Sequence, residues 1–403
     1  MFQMFKSKTG QRLSRLVVML LIIEFLDEWV FGLREVAWPL IREELQLDYV
    51  QIGLLISLPS FLAHIIEPII GVLGDTWKRR TIILGGGIVF ALCLVGIVLS
   101  QSFWPLLLVF IVINPASGAF VGLAQAALMD SAPDRHEQNM ARWTFAGALG
   151  VVAGTLTLGA CVALGVSWRT PFLLQAVVFG LVIMWGWRLT YPQIPTLDED
   201  GEKVGLWQGL RLALKALRRF EVVHWLVLLQ FADLMMDILL GYLALYLVDV
   251  GSVTEAQAAL GVTVWAGVGV IGDFLLIFLL ERVKGLTYLW YSVIAEMILF
   301  PLFLIVPVFE IKLIILALLG FCNAGWYSIL QGQLYSTMRG QSGAVMAVST
   351  VTGMIGSIVP LVIGLLADQF GLGIAMWALM AGPLALWIGV PWKTAINVDP
   401  ADD

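Results

Sequence analysis

The amino-acid sequence predicts an all-α membrane protein of twelve transmembrane helices, arranged as two six-helix bundles related by a pseudo-twofold axis. Three observations predict this. The chain of 403 residues is 60% hydrophobic and only 13% charged, where a soluble domain is roughly 25% charged. The apolar residues fall in runs of about 20, the length that crosses a bilayer as a helix. The second half repeats the polar landmarks of the first at one fixed offset. Because the runs are continuously apolar rather than alternating, helices fit better than a barrel.

The helices are expected at 16–40, 50–72, 81–100, 104–128, 141–164, 169–190, 222–248, 256–280, 286–308, 311–337, 342–366 and 372–391. The N-terminus carries no cleavable signal pattern, so the first helix is expected to stay in the mature chain. Lys and Arg set the orientation. Of the 23 in the chain, only Arg34, Arg42, Arg169 and Lys312 fall on one side of this arrangement. The others fall on the side of the two termini, which is therefore expected to be cytoplasmic, in the cell (inner) membrane. Cys93, Cys161 and Cys322 all lie inside apolar runs and form no metal spacing or disulfide framework. They read as packing residues. The net charge of −6 does not point to nucleic acid.

The longest polar interruption is Thr190 to Phe220. It opens with prolines and acids and ends in a basic amphipathic segment, Leu206 to Phe220, expected to lie on the membrane surface. This divides the chain into an N-terminal bundle (1–195), a linker (196–220) and a C-terminal bundle (221–403). Slid by 206 positions, the separation of Asp27 and Asp233, the second half falls on the first without a gap. Glu24–Asp27 (EFLD) meets Gln230–Asp233 (QFAD), Glu67 meets Asp273, Gln125 meets Gln331, and Gly147, Gly150 and Gly165 meet Gly353, Gly356 and Gly371. A parallel six-plus-six duplication places a binding site at the midplane between the halves.

With this pattern the chain resembles the major facilitator superfamily of secondary transporters. The most specific likeness is GVLGDTWKRR, Gly71 to Arg80, which is similar to the family's loop signature between the second and third helices. Gly71, Asp75, Arg79 and Arg80 match, whereas Lys78 replaces its second glycine. The resemblance implies a gate in which Asp75 faces the start of helix eleven, near Ser342 and Gly343. A carboxylate is stabilised by a helix N-terminus. The same basic residues would also serve topology alone. GALGVVAGTLTLG in helix five, Gly147 to Gly159, loosely resembles the family's antiporter motif, with Thr155 where proline is expected. It reads equally as small-residue helix packing. The resemblance also implies alternating access without a nucleotide or cofactor, a proton gradient as driving force, and a monomer.

The acids are the chemically informative residues. Glu24, Asp27, Glu28, Phe31, Arg34 and Glu35 share one face of helix one. An unpaired charge at mid-membrane costs roughly 2.5–3.5 kcal/mol even on lenient scales, so this face must look into a cavity. Arg34 can pair with Glu35 near the surface, which leaves Glu24, Asp27 and Glu28 without a local cation. Asp233 and Asp237 on helix seven, Glu67 on helix two beside His64, Asp273 on helix eight and Glu296 on helix nine add to the surplus. Such acids either carry protons or bind a cation, and an antiporter uses both in turn. Glu296 and His64 read as structural. Asn114, Gln125, Asn323, Tyr327 and Gln331 are further cavity candidates on helices four and ten. Trp29, Phe31, Trp265, Trp326 and Tyr327 could face a cation, or simply pack.

The function expected is secondary active transport, with proton-coupled antiport or efflux of a cationic or amphipathic small molecule first. Transport of an inorganic cation (divalent or sodium) and flipping of a lipid or lysolipid are the alternatives. No Ser/His/Asp spacing, zinc helix or phosphate loop points to an enzyme.

Overall fold

The computed structural model describes residues 15–76, 79–131, 136–189, 217–280, 282–338 and 342–391. Apart from 217–220, the linker expected at 196–220 lies outside the described residues. We number the membrane helices in chain order. The first half holds α1 (Arg15–Leu45), α2 (Tyr49–Thr76), α3 (Arg79–Leu99), α4 (Phe103–Ser117 continued by Gly118–Gly122 and Leu123–Asp130), α5 (His136–Ala163) and α6 (Arg169–Gly186). The second holds α7 (Phe220–Asp233, Leu234–Ile238 and Leu239–Asp249), α8 (Glu255–Leu279), α9 (Gly285–Ile305), α10 (Phe309–Asn323 and Trp326–Thr337), α11 (Ser342–Gly356 and Val359–Phe370) and α12 (Leu372–Trp377 and Ala381–Gly389, joined by one 3-10 turn).

Eleven described helices are long and apolar enough to cross a membrane. The twelfth, α1, spans 31 residues, and its acids rather than its length set it apart. In lipid every backbone polar group must find a partner within the protein, and a helix supplies it locally. The helices α3 and α6 pack on one another in the first half, as do α9 and α12 in the second. This leaves α1, α2, α5, α7, α8 and α11 to form the contact between the halves.

Small residues decide how closely helices cross. A Cβ on Gly150 would lie 2.4 Å from the Phe25 carbonyl oxygen, and one on Gly154 would lie 2.5 Å from the Trp29 carbonyl oxygen. The glycine-rich stretch of helix five thus seats α5 directly on the α1 backbone.

The halves meet where α1 packs on α7 and along two flanking seams, α2 against α11 and α5 against α8. In the first, the Leu361 amide donates to Ser57 Oγ at 2.8 Å. In the second, Thr263 Oγ1 donates to Thr155 Oγ1 at 2.8 Å. Ser57 and Thr263 are 206 positions apart, and so are Thr155 and Leu361. The two bonds are therefore related by the same duplication that relates the sequences. At the same end of the bundle, Arg42 Nη1 and Tyr49 Oη both donate to Asp249 Oδ2, at 2.9 and 2.8 Å. Arg42 also lies over the Tyr49 ring. These contacts seal one end between the halves.

Candidate functional site

Behind that seal is a cavity of about 520 Å³ between the halves. Asp27 from α1 and Asp233 and Asp237 from α7 line it, with Arg34, Glu35, His64, Asn114, Tyr327 and Gln331. Ser117 Oγ donates to Asp27 Oδ1 at 2.9 Å. Asp233 precedes and Asp237 lies within a wide turn in α7, Leu234–Ile238, where the bonding runs i to i+5.

Arg34 is paired as the sequence suggested. Its Nε and Nη2 donate to Glu35 Oε1 at 3.0 and 2.6 Å, and Trp38 Nε1 donates to Glu35 Oε2 at 2.9 Å. Glu35 does not lie at the surface, however, because its residue is only 2% exposed. Its Oε2 sits where α7 presents Gly241, 3.3 Å from the position a Cβ would take there. The guanidinium also lies 5.0 Å from the centre of the Phe31 ring. Arg34 and Glu35 thus neutralise each other, leaving the aspartates as the charge surplus of the cavity.

The remaining acids fall elsewhere. Glu24 is buried against α5, with its Oε1 2.7 Å from where a Cβ on Gly147 would lie. The Cγ of Glu67 lies 2.7 Å from the Cβ position of Gly118 on α4, and Glu67 is exposed beside that helix. A side cavity of about 380 Å³ lies between α1, α5, α7, α8 and α10. Glu28, Asp273, Asn323 and Trp265 line it, and Phe31, Met236 and Asp237 line both cavities. Asp237 therefore stands between the two. Asp273 is engaged, because the Gly325 amide donates to its Oδ1 at 2.8 Å. Asn323 Nδ2 donates to the Met235 carbonyl at 2.8 Å.

Several sequence candidates lie away from the cavities. Gln125 Nε2 is directed at Met140 Sδ, 3.7 Å away. Trp29 Nε1 donates to Thr157 Oγ1, and the fully buried Trp326 donates through Nε1 to Ser292 Oγ. Glu296 is fully buried on α9. His64, by contrast, lines the central cavity; its Nδ1 lies 2.7 Å from the Ser60 carbonyl, and its ring rests against Gly353 of the other half. Of the expected gate, Gly71 lies in α2 and Arg79 is buried at the start of α3, followed by Arg80. The side chain of Asp75 lies outside the described residues, as does that of Ser342.

Among the polar residues that line the cavity, Ser117, which bonds Asp27, and Gln230 were not among the sequence candidates, and Glu35 was assigned to the surface. Gln230 was recoverable, since it is the repeat partner of Glu24.

A sequence model described as Major Facilitator Superfamily matches residues 19–360. The chain belongs to the major facilitator superfamily. Solved structures of superfamily transporters share its fold. One is a bacterial homolog of the human lysosomal transporter Spinster, inward-facing and unoccupied. It is 18% identical, with a TM-score of 0.75 over 96% of this chain and 99% of that one. The same homolog in its inward-facing, occupied form gives 17% and 0.70 over 94% of each chain. The nucleoside transporter NupG gives 14% and 0.73 over 95% of this chain and 100% of that one. At such identities the likeness concerns the fold alone. Superfamily membership makes the chain a multi-pass membrane transporter of a small molecule, and not an enzyme.

Proposed function

We propose that this superfamily member is a proton-coupled antiporter that expels a cationic or amphipathic small molecule by alternating access. One observation carries the reading. Asp27 and Asp233, 206 positions apart in the duplicated sequence, face one cavity together with Asp237. The guanidinium beside them is already held by Glu35. Carboxylates in such a place are neutralised by a proton or by a bound cation. Either one must leave before the other binds, and that exclusion couples the two fluxes.

In this reading the end sealed by Arg42, Tyr49 and Asp249 faces outward and both termini are cytoplasmic. Residues 1–195 rock against 221–403 about the cavity, and the protein works as a monomer with the proton gradient as its drive. Gly71, Asp75, Arg79 and Arg80 close the opposite end in the alternate state. An inorganic cation fits less well. Calcium takes about six to eight oxygens, and among the described residues no group of three His, Cys, Asp or Glu side chains is placed to hold a metal ion.

Liposomes holding a pH-sensitive dye test the proposal. Organic cations, divalent metals, sodium and lysolipids are added in turn without an imposed gradient. Proton movement driven by organic cations, and lost in both Asp27→Asn and Asp233→Asn, is expected. Movement that survives both substitutions would remove these aspartates from the site. Movement driven only by metals, sodium or lysolipids would transfer the reading to those substrates.

A further inference from the structure

The α10 helix is broken where it passes Asp273. Ala324 leaves the helical region, with ψ 130°, and Gly325 has φ +74°. That conformation is one glycine adopts without strain. A Cβ on Gly325 would also lie 1.9 Å from Leu276 Cδ2. The break releases a backbone donor from the helical ladder, and Asp273 Oδ1 accepts it at 2.8 Å. On the other side of the break, Asn323 ties to the α7 wide turn between Asp233 and Asp237. The helix that restarts at Trp326 carries Tyr327 and Gln331. These lie one turn apart on one face, and both line the central cavity.

The first half contains an internal control. The wide turn of α4, Gly118–Gly122, lies at the repeat position of the α10 break, and Glu67 is the repeat partner of Asp273. Glu67 lies beside Gly118, but its carboxylate makes no hydrogen bond to the α4 backbone among the described residues. In this half Gln125, the partner of Gln331, is directed at Met140 instead of the cavity. Where the acid holds the backbone, the amide reaches the cavity. Where it does not, the amide stays outside.

We infer that Asp273 is a positioning residue rather than a proton or cation carrier. By accepting the Gly325 amide it fixes the α10 break and so sets where Tyr327 and Gln331 stand. The task needs an acceptor oxygen, not a charge, so asparagine should serve in its place.

The inference rests on the proposed antiport only in its transport arm. The other arm measures the labelling rate of Tyr327→Cys by a water-soluble methanethiosulfonate, with Cys93, Cys161 and Cys322 replaced by alanine. Adding Asp273→Ala should change the rate at least fivefold, while Asp273→Asn should leave it within twofold. In the transport arm, with tetraphenylphosphonium as the probe cation, Asp273→Asn should keep both KM and the proton-to-cation ratio. Asp273→Ala should raise KM at least fivefold with the ratio unchanged. A labelling rate unmoved by Asp273→Ala, or moved equally by Asp273→Asn, overturns the inference. So does a fall in the proton ratio of Asp273→Asn. If Asp273→Ala does not fold, Asp273→Asn decides alone through its labelling rate. An absence of tetraphenylphosphonium-driven flux in the unmodified protein counts against the proposed antiport and leaves the labelling arm to judge Asp273.

Discussion

The α2/α11 and α5/α8 seams occupy equivalent places in a duplicated protein, yet they are built differently. In α2/α11 the bond from Leu361 to Ser57 involves a backbone donor. That donor is free because α11 is interrupted between Gly356 and Val359, with Pro360 opening the new helix. The backbones nearly touch there, since a Cβ on Gly53 would lie 2.9 Å from both Leu361 Cα and the Pro360 carbonyl oxygen. In α5/α8 the equivalent bond joins two hydroxyls, Thr263 to Thr155, between unbroken helices. The α5 glycine that faces α8, Gly159, leaves ordinary room against Ala259, 3.4 Å from its Cβ position. The side cavity lies along this seam, lined by Ala148 and Val151 of α5 and by Trp265 of α8. One symmetric design has thus become a tight seam on one flank and a loose one on the other. Duplication dictates which helices meet, and the local backbone decides how firmly.

Paired substitutions measure that asymmetry. The largest effect is expected at the glycines. Gly53→Ala forces backbone apart and should destabilise by about 1–3 kcal/mol, the usual range for overpacking. Gly159→Ala should lie within about 0.5 kcal/mol of the unmodified protein. Equal melting temperatures for the two in detergent would erase the distinction between the seams. Next come the hydroxyls. Ser57→Ala leaves the part-buried Leu361 amide without its partner, a loss of about 1–3 kcal/mol. Thr263→Val should cost less than about 1 kcal/mol, because Thr155 Oγ1 keeps its bond to the Val152 carbonyl. A larger loss from Thr263→Val than from Ser57→Ala, measured by the same melts, would reverse the assignment.

The smallest effect is a control away from both seams. Partial burial works against the charge of Glu44, but hydrogen bonds from Arg169 and Trp168 outweigh it and hold its carboxyl below the ordinary glutamate range. A lowered folded value stabilises above the unfolded value, and the gain is lost as pH falls through the folded value. Glu44 is half exposed, so the gain should stay below about 1 kcal/mol. Glu44→Gln should remove only this acid-side slope from a melting-temperature profile and leave both seam comparisons unchanged.

The twelve helices were legible because hydrophobic run length is a direct physical requirement of the bilayer. The duplication was legible because polar residues are rare enough in such a chain for a fixed offset to stand out. Asp27, Asp233 and Asp237 were legible as cavity residues for the same reason. What the sequence could not convey was helix rotation. Glu24 and Asp27 are three positions apart on one face, yet only Asp27 reaches the cavity, because Gly147 and Gly150 draw α5 against the other edge of that face. Gln125 and Gln331 are equivalent in sequence but differ in placement, because α4 carries a wide turn where α10 is broken. Hydrophobic periodicity does not register such irregularities. Glu35 was read as a surface partner because an arginine beside an acid near a helix end usually is one. Here a glycine on the facing helix makes room for the pair inside.

The placement of α1 has a consequence for how the chain is made. It is synthesised before the helix that covers its acids, with Glu24, Asp27 and Glu28 exposed on a single helix. The glycines of α5 that cover part of that face are synthesised only after α2, α3 and α4. At about 5–20 residues per second, that interval is on the order of ten seconds. During it α1 has no stable home in open lipid, so it must be sheltered by the insertion machinery until α5 arrives. The residues that equip the finished protein for its substrate make its first helix dependent on assistance at birth.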